Sequence, residues 1–161
     1  MSQSDARAQY ERLHEGLRAY GANYREFTRR FATWLGLHST DAEALIEILT
    51  AEERGTTLSP ARLSERISLS NSATTALLNR LEQAGHVVRS REHEDRRVIT
   101  LRSTPHILEL ANDFFGPLGT RVEETVMGKY APEELRRFEA FLADVHVAMT
   151  THLAEPAPPR P

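Results

Sequence analysis

Apolar side chains recur at helical spacing through the first part of the chain. Tyr10, Leu13, Leu17, Tyr20, Tyr24, Phe27, Phe31 and Trp34 stand alternately 3 and 4 residues apart. That is an a/d heptad stripe. A stripe so rich in aromatics is expected to be buried, as core or as a seam between two chains. Gly36 is expected to end this helix. A second helix is predicted from Thr40, which with Glu43 fits a capping box. Ala42, Leu45, Ile46 and Leu49 form its inner stripe, and Gly55 marks its end. Ser59-Pro60 reads as an N-cap followed by proline at the first helical position. It opens a short helix over 60–67 with Leu63 and Ile67 inward. Ser70 caps the next helix, over 71–84. Thr74, Leu77, Leu78 and Leu81 form its inner row, and Gly85 supplies a left-handed stop.

The pattern then changes. Residues 87–102 read Val-Val-Arg-Ser-Arg-Glu-His-Glu-Asp-Arg-Arg-Val-Ile-Thr-Leu-Arg. This is a short apolar strand, a charged tip and a second short strand with alternating apolar residues. Ile107, Ala111, Phe114, Leu118 and Val122 resume a helical stripe. Gly116-Pro117 interrupts it, where a kink is expected. Ala131-Pro132-Glu133-Glu134 starts a last helix, with acids suited to its N-terminus. Its stripe is Leu135, Phe138, Leu142, Val145, Met149 and His152. The proline-rich stretch 155–161 is expected to be a disordered tail. The predicted fold is mainly α with a small β-hairpin wing. It divides into an N-terminal dimerisation helix (1–36), a winged helix-turn-helix lobe (37–104), C-terminal dimerisation helices (105–154) and the tail.

Two short helices followed by a basic hairpin outline a DNA-binding module. The second helix suits a major groove and the arginine-bearing hairpin suits the adjacent minor groove. The inner row of helix 71–84 assigns its opposite face. Asn71, Ser72, Thr75, Ala76, Asn79 and Arg80 are the expected DNA-facing residues of the recognition helix. Asn can pair with adenine, Arg with guanine, and Ser or Thr with phosphates or either base. Neither an acid nor a lysine lies within 71–80. On the wing, Arg91, Asp95, Arg96 and Arg97 are the expected contacts. Three heptad-like stripes exceed what one small bundle needs. A second copy would use the surplus, and symmetric DNA sites favour such a two-fold dimer.

Charge sharpens this picture. The net charge of −3 hides a split. Residues 60–104 hold eight arginines and five acids, a net +3, and the remainder carries −6. A basic module in an acidic body attracts DNA at one face and repels it elsewhere. The absence of cysteine removes disulfides, thiol redox sensing and cysteine-ligated zinc. No apolar run reaches membrane-spanning length. The N-terminus lacks the apolar core of a signal peptide, so a cytoplasmic location is expected. The seven histidines form no His-Glu-x-x-His arrangement, and His146 and His152 are six apart, off ligand spacing. No phosphate loop or nucleophile elbow occurs. Neither an enzyme, a metal nor a cofactor is expected.

The segment Leu77-Leu78-Asn79-Arg80-Leu81-Glu82-Gln83-Ala84-Gly85-His86-Val87, with Asp95-Arg96-Arg97 after it, resembles the MarR family of bacterial transcriptional regulators. The first piece is similar to that family's recognition helix ending in Leu-Glu-x-x-Gly. The second is similar to its Asp-x-Arg wing signature. The resemblance extends over nearly the whole order of elements. It implies that Arg97 approaches the minor groove and that Asp95 orients it. It further implies a homodimeric, ligand-responsive repressor on a pseudo-palindromic operator. A small aromatic or phenolic effector would bind where dimerisation helices meet the DNA-binding lobe, with Phe31, Trp34, His38 and His106 as candidate lining. The chain departs from the pattern at Ala76, where a basic or bulky polar residue is frequent, and in following Leu101 with Arg102-Ser103-Thr104. A winged-helix protein–protein module and a non-specific DNA-architectural dimer are the alternative readings.

Overall fold

A computed structural model describes residues 3–91 and 99–156. Six helices and one hairpin follow in the order α1 (Gln3–Leu35), α2 (Ser39–Glu53), α3 (Pro60–Arg66), α4 (Asn71–Gln83), β1 (Val87–Ser90), β2 (Thr100–Ser103), α5 (Pro105–Met127) and α6 (Pro132–Leu153). The chain divides into two compact units, Met1–Phe114 and Phe115–Pro161. Among the described residues no helix is long and apolar enough to cross a membrane.

The core lies in the first unit. Phe31, Leu45, Ile48, Leu63, Leu77, Leu78, Leu81, Val87, Leu101 and Ile107 are almost completely buried. They come from every element from α1 to the start of α5, so each short helix is held by tertiary burial rather than by its own propensity. Three helices end as their glycines predict. Gly36, Gly55 and Gly85 take φ of 68°, 70° and 73°, and each end closes with the paired backbone bonds of a Schellman motif. Ser59 Oγ accepts from the Arg62 amide and Ser70 Oγ from the Ala73 amide, so both expected caps of α3 and α4 are formed. Thr104 caps α5 by accepting from the Ile107 amide at 3.3 Å.

One expectation changes and one is narrowed. The capping box at Thr40 does not form: α2 starts at Ser39, and its N-cap is His38 without a side-chain cap bond. The Asp41 and Ala42 amides both donate to the His38 carbonyl, so Thr40 lies inside the first turn rather than at the cap. The α1 stripe is not core within one chain. Phe31 is fully buried, but Tyr10, Leu13, Tyr20, Tyr24 and Trp34 are exposed. At Gly116-Pro117 the helix stays undivided, as expected: α5 continues through Pro117 to Met127. A proline inside a helix removes its own amide bond and crowds the carbonyl four residues before it, which strains the helix locally without having to end it.

The second unit holds the end of α5 and α6. The Ala131 amide donates to Glu134 Oε2 at 2.9 Å and Pro132 occupies the first turn, as expected at this helix start. None of the α6 residues is buried. Phe138, Leu142, Val147, Met149 and Leu153 are all exposed large apolar groups. Tyr130 packs edge-on against Phe138 at 5.3 Å. The tail expected at 155–161 falls mostly on residues 157–161, outside the described residues.

Candidate nucleic-acid interface

The turn between α3 and α4 is tight and side-chain built. Ser64 Oγ donates to the Leu69 carbonyl at 2.6 Å, and the Leu69 amide returns to the Ser64 carbonyl at 3.1 Å. Ser68 sits at φ 54°, the described non-glycine residue with left-handed backbone. The turn is closed enough that the surrounding bonds hold a conformation disfavoured for an L side chain.

From that turn α4 projects with its two faces sorted as the spacing predicts. Thr74, Leu77, Leu78 and Leu81 are buried. Asn71, Ser72, Thr75, Ala76, Asn79 and Arg80 are all exposed. Near the N-terminus their bonds are local: Thr75 Oγ1 donates to the Asn71 carbonyl at 2.9 Å, and Ser72 Oγ lies 3.1 Å from Ser70 Oγ. In helix-turn-helix proteins this end of the recognition helix contacts base edges.

The C-terminal half of the face is engaged differently. Arg80 Nε donates to Asp41 Oδ2 at 2.9 Å and Nη2 to Asp41 Oδ1 at 2.6 Å. Asp41 on α2 is 1% exposed. The Asp41 hydrogen bonds drive the Arg80 guanidinium further up from its ordinary value. Arg80 is therefore tied into the fold, although half its side chain is exposed. Nothing in the sequence signals this, because an acid in a first helical turn usually reads as a solvated partner of the helix dipole. Arg89 on β1 donates to Asn79 Oδ1 at 3.1 Å and pairs with Glu82. This cluster too is legible only in three dimensions.

The wing is a two-stranded antiparallel sheet pairing Val87 with Ser103 and Ser90 with Thr100. Leu101 donates its amide to the Leu58 carbonyl at 2.8 Å, adding an isolated bridge. Glu52 on α2 accepts from the Ser103 amide and hydroxyl and pairs with Arg102 at 3.7 Å. β2 is thus moored to α2 at its C-terminal end and to the Leu58 backbone at Leu101. Arg91 is exposed where β1 ends. Asp95, Arg96 and Arg97 lie outside the described residues.

The four candidate effector residues lie on three elements of the first unit. Phe31 and Trp34 meet around Phe114, with ring centroids 5.1 and 5.4 Å from it. His38 is the N-cap of α2. His106 stacks against His86 at 6.5 Å. A separate cleft of about 360 Å³ between α1 and α2 is lined by Tyr24, Arg25, Thr28, Arg29, Ser39, Glu43, Ile46 and Glu47.

A capped two-helix turn whose second helix turns a polar face outward, followed by a moored hairpin, defines a winged helix-turn-helix DNA-binding protein. Residues 44–99 match the MarR family model. The chain is 30% identical over 143 residues to the uncharacterized HTH-type transcriptional regulator YcgE of Bacillus subtilis (strain 168), covering 88% of this chain and 90% of that one. The solved structure of a MarR family protein from Bacillus stearothermophilus is similar with a TM-score of 0.60 and 26% identity, over 93% of this chain and 99% of that one. The S. aureus MepR F27L mutant bound to an oligodeoxyribonucleotide shares the fold, with a TM-score of 0.51 and 16% identity over 87% and 97% of the two chains. The chain belongs to the MarR family, a family of DNA-binding transcriptional regulators rather than of enzymes.

Proposed function

We propose that this protein is a ligand-responsive repressor that binds a pseudo-palindromic operator as a homodimer in the cytoplasm. The observation that carries the reading is α4. Its N-terminal outer face offers Asn71, Ser72 and Thr75 to solvent with no carboxylate among them, over a fully buried inner row. A helix held that rigidly presents its polar groups at low ordering cost. Asn71, Ser72, Thr75, Ala76 and Asn79 are the proposed groove-facing residues, with Arg91, Asp95, Arg96 and Arg97 on the wing.

The dimer reading is supported by the exposed stripes. Tyr10, Tyr20 and Tyr24 on α1, and Phe138, Leu142 and Met149 on α6, lie open in the single chain at heptad spacing. Exposed apolar area of this regularity suits a second copy. The effector reading is supported by the Phe31–Trp34–Phe114 cluster. Trp34 is 49% exposed beside two aromatic rings, a stacking platform suited to a small aromatic or phenolic acid.

The decisive experiment measures binding to DNA selected from a random pool, by fluorescence anisotropy at several salt concentrations. Expected are a two-fold symmetric site, a steep salt dependence and preference over random DNA of at least about a thousandfold. Equal affinity for any sequence would leave an architectural protein, and no DNA binding would leave a protein–protein module. Aromatic acids that release the operator should also quench Trp34 emission, and the operator should weaken their binding by the same factor.

A further inference from the structure

Among the described residues, the Asn79 amide on the proposed groove-facing side of α4 is held from another element. Arg89 reaches from β1 to donate to Asn79 Oδ1 at 3.1 Å, and its other terminal nitrogen pairs with Glu82 on α4. A guanidinium has only donors. The Asn79 atom that faces it must therefore be the carbonyl oxygen, and the Nδ2 hydrogens point away from Arg89. Glu82 neutralises the arginine and fixes its far end. Both partners are mostly sheltered, with side chains about three-tenths exposed, while Asn79 itself is exposed.

We propose that Arg89 is a positioning residue for base specificity: it locks the Asn79 amide so that α4 presents a donor, not a donor–acceptor pair, at this position. An unconstrained asparagine suits adenine, accepting from N6 and donating to N7. A locked one has its acceptor turned toward Arg89 and offers two N–H groups. The major-groove edge that matches is guanine, whose N7 and O6 are both acceptors. Asn79 therefore selects guanine, and Arg89 sets that choice without touching DNA. The inference rests on the reading of α4 as the groove-facing helix.

The test uses the full chain and site selection from a random pool. The wild type should prefer guanine at one position of each half-site, and Asn79→Ala should lose that preference alone. Arg89→Met should shift the same position toward adenine, because the freed amide can then use both its groups. Arg89→Lys, which keeps charge and a donor, should retain part of the guanine preference. Placing 7-deazaguanine at that position should weaken wild-type binding by about fivefold to a hundredfold. That measurement needs no variant to fold. An adenine preference in the wild type at the Asn79-dependent position overturns the proposal. So does an Arg89→Met protein with lower affinity but an unchanged guanine preference. If Asn79→Ala, Ser72→Ala and Thr75→Ala all leave every preference unchanged, α4 is not the reader, and the functional reading fails instead.

Discussion

The Arg80–Asp41 pair separates two readings of the same arginine. By spacing alone Arg80 is a base contact, whereas in the fold it holds α4 to α2. Asp41→Asn is the clean perturbation, since it keeps shape but removes charge. The amide can still accept one Arg80 hydrogen bond, but the second oxygen becomes an NH2 that faces a donor. Losing a charge-assisted hydrogen bond at the 1% exposed Asp41 costs about 1.5–3 kcal/mol. An unfolding entropy of about 2.1 cal/mol/K per residue over 161 residues converts this to a fall in Tm of ~4–9 °C. Arg80→Ala should cost at least as much, because it strands the buried carboxylate. The double variant Asp41→Leu/Arg80→Met should recover much of the loss, since a buried pair replaced by apolar groups leaves no unpaired charge. Thermal melts by circular dichroism at one protein concentration measure all four. Site selection with Arg80→Ala then completes the test. An Arg80→Ala protein that melts like wild type yet changes its preferred bases would refute the tether and restore Arg80 as a reader.

Other consequences follow from particular groups. The Thr74 hydroxyl is buried without a hydrogen-bond partner, so Thr74→Val should raise Tm, by up to about 1 kcal/mol in stability; a lower Tm would contradict that geometry. His86 is buried with Nδ1 unpartnered, and burial, then the neighbouring His106, push its imidazole below its ordinary value. The unfolded chain therefore binds more protons just below the ordinary histidine range, so stability is full above about pH 6.5 and falls as pH drops toward the folded-state value. Melting at about pH 5.5 should lie below that at about pH 7.5, and His86→Phe should shrink the gap. Arg97→Ala should weaken operator binding by about 1–3 kcal/mol and Asp95→Ala by less; wild-type affinity for Arg97→Ala at fixed salt would remove the wing role. Leu142→Arg should shift the light-scattering mass from near twice the 18.2 kDa chain mass toward the single chain. A wild-type monomer at micromolar concentration would end the dimer reading.

What could be read along the chain is whatever depends on near neighbours. The caps at Ser59 and Ser70, the left-handed stops at Gly36, Gly55 and Gly85, and the inner row Thr74, Leu77, Leu78 and Leu81 all follow from spacings of a few residues, because capping, positive φ and amphipathic burial are local constraints. The exposed polar side of α4 was legible for the same reason. Where the exposed stripes of α1 and α6 find cover was not, since periodicity says that a face is apolar but not which surface meets it. The Thr40 capping box failed because α2 starts at Ser39 with His38 as its N-cap, which puts Thr40 inside the first turn. The roles of individual polar residues depended most on the fold. Arg80 and Asp41 are 39 residues apart, Ser103 and Glu52 are 51 apart, and Arg89 meets Asn79 across an element boundary. An exposed arginine on a groove-facing helix carries the same sequence signature whether it reads a base or grips a buried carboxylate. The acceptor brought to it by a distant element decides between them.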